Sequence, residues 1–115
     1  ENNNINEGYG FNIFFIKKNI IYTPRSKYVL PGVTREMIIK LSKKLKLKVI
    51  EKDISLREVN SFDESFVTAT GWGVCSVQSL NKKIFRKQKK TKQIQTAFSK
   101  LVKYDIVKQY LSFIK

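Results

Sequence analysis

The fold of this chain is decided at Leu30-Pro31-Gly32-Val33-Thr34-Arg35-Glu36, where a β-rich segment gives way to a helical one. Pro31 disfavours helical backbone at the residue before it, and Gly32 permits a tight turn or the close approach of another group. Thr34 is the predicted N-cap, because an apolar helical pattern follows at once. A helix that begins here directs free N–H groups towards one point, which suits an anion and phosphate most of all. An ordinary strand-turn-helix junction has the same local features, so this stretch alone does not identify a ligand site.

Elements on both sides of this stretch follow from periodicity. Two β-rich runs before it, 12–17 and 20–23, predict a hairpin, and the first run has enough Phe and Ile to be buried on both faces. After it, apolar residues at helical spacing predict a helix from Thr34 to about Lys46, followed by a short strand over 48–52. The apolar positions of that helix are Ile38, Leu41 and Leu45.

The second half of the chain predicts a short helix, two strands and a final helix. Ser55 and Glu58 have the spacing of a capping box, and 65–68 and 73–78 predict strands. Thr91 is the predicted cap of a last helix whose apolar face repeats at i, i+3, i+4, i+7 and i+8. That face comprises Ile94, Ala97, Phe98, Leu101 and Val102. Strands and helices in this order predict an α/β (α+β) fold in a pair of layers.

Composition limits the classes of protein to consider. The 115 residues suggest one domain, and they include one cysteine, Cys75, and no histidine. A disulfide framework, a structural zinc site and a histidine-dependent triad are therefore excluded within these residues, and a reducing, cytoplasmic compartment fits best. The apolar runs are too short to cross a membrane. The net charge of +14 raises nucleic acid as a partner, but the lysines are scattered, which favours compositional drift as their main source.

Three blocks in register resemble the class IV aminotransferases, a pyridoxal phosphate-dependent family. The family includes branched-chain, D-amino-acid and R-selective amine aminotransferases and aminodeoxychorismate lyase, and the resemblance is good from about Asn6 to Val77. The segment Tyr9-Gly10-Phe11-Asn12 is similar to the corresponding sequence in the branched-chain and R-selective branches of the family. The resemblance implies the cofactor-binding domain from the C-terminal portion of such an enzyme, a mixed sheet or pseudo-barrel with flanking helices. The blocks are 6–14, 30–36 and 63–71.

The resemblance also implies a pyridoxal 5′-phosphate site. Glu7 would pair with the pyridine nitrogen and keep it protonated. Asn12 would hold Glu7, and Leu30 would lie against the ring. The phosphate would be bound first by the turn at Gly32, through the backbone N–H groups of Val33 and Thr34 and the Thr34 hydroxyl. A second turn would add Thr70 and Gly71, and the Gly71 N–H would face the phosphate or the substrate carboxylate.

Departures from the family pattern affect both pocket and activity. Ala69 replaces a glycine, and Trp72 either fills part of the substrate pocket or packs in the core. The family's catalytic lysine, which forms the Schiff base, belongs to a segment upstream of Glu7, so these residues are expected to include no catalytic residue and no metal site. We therefore expect 1–115 to be a piece of a longer, dimeric enzyme acting on an amino acid and a 2-oxo acid, or the product of a split or decayed gene.

Two rival interpretations remain from the sequence. The basic segment 82–92, with Phe85 inside it, could bind RNA or single-stranded DNA through phosphate contacts and stacking, although no nucleic-acid motif is present. A degenerate aminotransferase half could instead act only as an interaction partner. Capture of the cofactor would support the enzyme interpretation, and a salt-dependent shift with an oligonucleotide would support the first rival.

Overall fold

The computed structural model describes residues 11–25, 33–69, 73–80 and 82–113, with side chains for 12–25, 35–68, 73–80 and 82–102. Seven strands, two helices and a short 3₁₀ turn are present in these ranges. No helix of this part of the chain is long and apolar enough to span a membrane. The elements are β1 Phe11–Lys17, β2 Ile20–Thr23, α1 Val33–Lys44, β3 Lys48–Glu51, the 3₁₀ turn Glu58–Ser61, β4 Glu64–Ala69, β5 Gly73–Ser76, β6 Ser79–Leu80, β7 Lys83–Ile84 and α2 Lys89–Phe113.

Five strands form one mixed sheet in the order β3-β2-β1-β4-β5. β1 pairs antiparallel with β2 and with β4, β4 pairs antiparallel with β5, and only β2 and β3 run parallel. A parallel pair needs a crossover connection, and here the crossover is α1. The predicted hairpin and the mixed α+β architecture with flanking helices are therefore confirmed.

Strand β1 lies at the centre of the sheet and is buried on both faces, as its composition predicts. Ile13, Phe14, Phe15 and Ile16 are each at most 6% exposed. Because side chains alternate along a strand, Phe14 and Ile16 contribute to the core on one face, and Ile13 and Phe15 to the core on the other. A single strand thereby connects the two hydrophobic cores that the described residues form.

The first face of the sheet, which we call the helix face, is covered by α1 and α2. Helix α1 ends at Lys44, two residues earlier than predicted, because Lys46 adopts the left-handed conformation with φ of 65°. Leu45 is therefore 37% exposed rather than part of the apolar face, and Leu47 is buried instead. The core of this face comprises Phe14, Ile16, Ile21, Ile38, Leu47, Phe66, Val74 and Ile94.

The second face is covered by the segment around the 3₁₀ turn and by the β6–β7 hairpin. Phe62 stacks on Phe15 at 4.9 Å between ring centroids, and Phe85, just after β7, is only 3% exposed. The predicted capping box is present, since the Ser55 N–H donates to Glu58 Oε1 and the Glu58 N–H donates to Ser55 Oγ, each at 3.2 Å. It precedes a 3₁₀ turn rather than an α-helix.

The capping box makes stability depend on pH. Burial raises the pKa of Glu58, but hydrogen bonds from Lys52 and Ser55, together with the charge of Lys52, outweigh it and lower the pKa below 4.5. A lowered pKa in the folded state means that the stabilisation is complete above about pH 5 and is lost as pH falls through the folded value. The Lys52 ammonium lies 2.6 Å from Glu58 Oε2, and both side chains are about one-third exposed.

Replacing Lys52 with glutamine is expected to lower the free energy of unfolding by about 0.5 kcal/mol at pH 7 and by less at pH 3, because the interaction is lost progressively as falling pH protonates the Glu58 carboxyl. Urea unfolding at both pH values measures the difference. The matched control is Lys43→Gln, which removes an exposed lysine of α1 that makes no ion pair with the described residues and should have no such pH dependence. Equal losses for K52Q at the two pH values would contradict the assignment to Glu58.

Helix α2 begins at Lys89, so the predicted N-cap at Thr91 is wrong. Thr91 lies inside the first turn, and its buried hydroxyl has no hydrogen-bond partner in the described part of the chain. The cap comes from the sheet instead, because the Glu64 carboxylate accepts from the N–H of Lys90 at 3.1 Å and of Thr91 at 2.8 Å. The predicted apolar face of α2 is confirmed at Ile94, which is fully buried, and at Phe98, which packs against the same core.

Candidate functional site

At one end of the five-stranded sheet, β1 and β5 start and β2, β3 and β4 finish, and the predicted binding residues follow or precede these strand ends in the sequence. Pairing places the start of β1 beside the end of β4, with Phe11 opposite Ala69, and the start of β5 beside the same residue, with Gly73 opposite Ala69. β2 and β3 run parallel and end together, Thr23 opposite Glu51. Since β2 is antiparallel to β1, its end lies at the end where β1 starts. We call this end of the sheet the site end.

The helix face of the sheet changes from apolar to polar at the site end. Phe14 and Phe66 are opposite each other on β1 and β4 and stack with ring centroids 4.8 Å apart. The next pair outwards on the same face is Asn12 opposite Thr68. Thr68 is fully buried, and its hydroxyl has no hydrogen-bond partner among the described residues. A buried hydroxyl without a partner costs about 1–3 kcal/mol of stability, so the Thr68 hydroxyl is suited to donate a hydrogen bond to a bound ligand.

The first turn of α1 is fastened to the same end of the sheet by Arg35. Its Nη2 donates to the carbonyl of Pro24, directly after β2, at 3.0 Å, and to Glu51 Oε1, at the end of β3, at 2.7 Å. Arg35 is 3% exposed. On β2, Thr23 Oγ1 donates to the carbonyl of Ile13 at 2.8 Å and joins β2 to β1 where their ladder ends. These bonds place the amino-terminal end of α1 over the ends of β2 and β3.

The described residues include three of the eight predicted binding residues. Asn12 lies on β1, and Val33 and Thr34 lie in the first turn of α1. Thr34 is inside the helix, which begins one residue earlier, so the prediction that Thr34 is the N-cap is wrong: an N-cap residue has non-helical backbone. Glu7, Leu30, Gly32, Thr70 and Gly71 lie outside the described residues, as does Trp72.

The order of the strands nevertheless brings the three sequence blocks to one place. The first block leads into the start of β1, the second into the start of α1, and the third contains the end of β4, so all three reach the site end. The first N–H groups of a 12-residue helix have no partner within the helix, and they reach the same end of the sheet as the buried Thr68 hydroxyl, so both kinds of donor suit an anion. The residues present therefore fit a phosphorylated ligand.

Sequence reasoning missed three residues that build this end of the sheet. Thr23, Arg35 and Thr68 are polar, yet each is at most 3% exposed. For the two threonines, the sequence shows a polar side chain at an otherwise apolar strand position. For the arginine, it shows a positive charge in the first turn of a helix, where the charge opposes the helix dipole. Such features indicate that a position is unusual, but they do not predict which group the side chain will hydrogen-bond.

The chain belongs to the class IV aminotransferases. The model of that family, described as amino-transferase class IV, matches residues 1–80, which is more than half of the chain. This agrees with the fold and with the convergence of the three blocks at one end of the sheet.

Known proteins similar to the chain include branched-chain aminotransferases. It is 36% identical over 96 residues to a probable branched-chain-amino-acid aminotransferase of Rickettsia bellii, an alignment that covers 80% of this chain and 33% of that protein. The crystal structure of the branched-chain enzyme of Escherichia coli superimposes with a TM-score of 0.80 at 36% identity, covering 87% of this chain and 34% of that one. The holo, PLP form of the enzyme from Thermobaculum terrenum gives a TM-score of 0.81 at 25% identity, with the same shares covered. The chain thus spans about a third of the length of the relatives it matches.

The basic segment 82–92 does not offer the stacking platform that a nucleic-acid interpretation requires. Phe85 is 3% exposed and packs in the core of the second face with Phe15 and Phe62. The Lys83 ammonium lies 5.8 Å from the centroid of its ring. A base cannot stack on a ring that is already covered, so the prediction that Phe85 could stack a base is wrong.

Proposed function

We propose that this chain forms the phosphate-binding part of a pyridoxal 5′-phosphate-dependent aminotransferase that exchanges an amino group between an amino acid of the branched-chain type and a 2-oxo acid. The observation that carries the proposal is that β1, β4 and the first turn of α1 reach one end of the sheet, where the buried hydroxyl of Thr68 has no hydrogen-bond partner in the described part of the chain. Family membership and the names of the relatives support the reaction class.

The phosphate would be held by the chain on two sides. On one side, the N–H groups of Val33 and Thr34 and the positive end of the α1 dipole would stabilise its negative charge, and Gly32 would let the backbone come close. On the other side, Thr70 would donate its hydroxyl, and Gly71 would donate its N–H to the phosphate or to the substrate carboxylate. Thr68, directly before this turn on the helix face, adds a further donor.

The ring would be oriented by residues on the β1 side. Glu7 would hold a proton on the pyridine nitrogen by charge pairing, which raises the pKa of that nitrogen. Asn12 would orient Glu7, and Leu30 would lie against one face of the ring. When bound, the cofactor supplies an electron sink for the negative charge that develops on the substrate.

The proton transfers at the substrate require a lysine, and we assign that role to none of residues 1–115. No lysine in this sequence stands at the family position for it. The whole enzyme would contribute that lysine and the cover of the substrate, act as a homodimer and work in the cytoplasm. The single cysteine, which can form no internal disulfide, supports a reducing compartment.

The test is a calorimetric titration of the chain with pyridoxamine 5′-phosphate, which has no aldehyde and so cannot react with surface lysines. We expect saturable binding that is at least about tenfold tighter than that of pyridoxamine, because the phosphate is the main group recognised, and inorganic phosphate should compete. Replacing Thr70 with valine should weaken binding of the phosphorylated amine by about tenfold, the usual effect of losing a hydrogen bond to a charged group.

The control is Thr96→Val, which alters an exposed threonine of α2 and should leave both affinities unchanged. Equal affinity for pyridoxamine with and without its phosphate would contradict the proposal. Saturable binding with equal effects of T70V and T96V would remove Thr70 from the site while leaving the cofactor assignment in place.

A further inference from the structure

Arg35 occupies a position that is difficult to explain by stability alone. It lies in the first turn of α1, where a positive charge is unfavourable against the helix dipole, and it is 3% exposed. Its partner Glu51 has a side chain that is 45% exposed, so the pair combines a desolvated cation with a solvated anion. Buried ion pairs gain little net stability, because desolvation offsets the attraction between the charges.

The hydrogen bonds of Arg35 use only part of its capacity. Nη2 donates both to the carbonyl of Pro24 and to Glu51, whereas the buried Nε has no partner among the described residues. The bonds made by Nη2 link three elements, α1, β2 and β3, at the end of the sheet where the phosphate would bind. The guanidinium therefore fixes the direction of α1, and its Nε–H keeps no hydrogen-bond partner among the described residues.

We propose that Arg35 is a positioning residue for the cofactor phosphate. It holds the first turn of α1 against the ends of β2 and β3, so that the N–H groups of Val33 and Thr34 stay directed at one point. This inference rests on the proposed function. Arg35 acts through the helix end and not through contact with the reacting atoms.

A role for Arg35 limited to folding and a role in positioning predict different binding ratios. The ratio to measure is the affinity for pyridoxamine 5′-phosphate divided by the affinity for pyridoxamine. If Arg35 positions the phosphate site, Arg35→Gln should lower the affinity for the phosphorylated amine by about tenfold and change that for pyridoxamine by less than about twofold. A purely structural role would leave the ratio unchanged.

Two further variants make the experiment specific. Arg35→Lys keeps the charge but lacks the planar fork that reaches two acceptors, so it should recover only part of the ratio. Arg57→Gln makes the same chemical change at an exposed position and should keep the ratio of the unmodified chain. Circular dichroism would establish that each variant is folded at the temperature of the titration.

If Arg35→Gln does not fold, Glu51→Gln tests the same link, because it weakens the bond from Nη2 while leaving the guanidinium in place. A lowered ratio in E51Q supports the inference, and an unchanged ratio overturns it. A folded R35Q with an unchanged ratio also overturns it. If the unmodified chain shows no preference for the phosphorylated amine, the proposed function itself fails, and that outcome is distinct from the other two.

Discussion

Replacing Phe66 with alanine is expected to lower the free energy of unfolding by about 3–5 kcal/mol, the usual range for a large side chain removed from a packed core. Phe66 is fully buried on the helix face of β4, and its ring stacks on Phe14 with an interplanar angle of 11°. The loss combines apolar area returned to water with a cavity that neighbouring strands cannot fill, because β1 and β5 hold β4 on both sides.

Urea unfolding followed by far-UV circular dichroism measures this change. Phe66→Leu should cost clearly less, because leucine fills most of the space, and Ile84→Ala should change stability by less than about 0.5 kcal/mol, because Ile84 is 55% exposed. A loss below about 1 kcal/mol for F66A would mean that the core of the helix face does not depend on the Phe14–Phe66 stack. It would also mean that the stacked rings of Phe14 and Phe66 are not what holds the neighbouring pair Asn12 and Thr68 in position.

Local patterns predicted the elements whose stability is decided locally. The hairpin of β1 and β2 follows from two β-rich runs and a short turn, and the apolar face of α2 follows from spacing alone. The capping box at Ser55 and Glu58 is also local, since its two partners are three residues apart. In each case the residues that determine the structure are neighbours in sequence.

Predictions failed where the deciding partner is distant in sequence. Thr91 was the expected cap of α2 because it is a good capping residue nearby, but a carboxylate 27 residues away has that role. The burial of Phe85 was missed for the same reason: a lone aromatic residue in a basic segment gives no local sign of the core that it joins. Long-range pairing of this kind is fixed only once the sheet has formed.

The candidate site was predictable to a different extent. Resemblance of three blocks to a family supplied the residues, and the order of strands brings those blocks to one end of the sheet. Physical patterns alone would not have selected Asn12 or Thr68, because an amide and a hydroxyl on adjacent strands are common in any sheet. The support for the helix end, from Arg35 to Pro24 and Glu51, depends on tertiary contacts that no motif contains.

Replacing Glu64 with alanine should have the second large effect on stability, a loss of about 2–4 kcal/mol. Glu64 is 4% exposed, and its carboxylate accepts from two backbone N–H groups at the start of α2. The variant would leave both N–H groups without this acceptor, at about 1–3 kcal/mol for the buried N–H of Thr91 and less for the half-buried N–H of Lys90. It would also remove the only carboxylate that the described structure brings to a first turn rich in lysine, where positive charge opposes the helix dipole.

Glu64→Gln separates the hydrogen bonds from the charge. Glutamine keeps the length and one acceptor oxygen, so we expect about half of the loss seen with E64A. Amide hydrogen exchange at Lys90 and Thr91 gives a local readout, and it should accelerate in E64A more than in E64Q. Accelerated exchange with stability changed by less than about 0.5 kcal/mol would mean that the packing of Ile94 and Phe98 holds α2 on the sheet without its cap. The cap would then only order the first turn, and the carboxylate in β4 would need another reason to be buried.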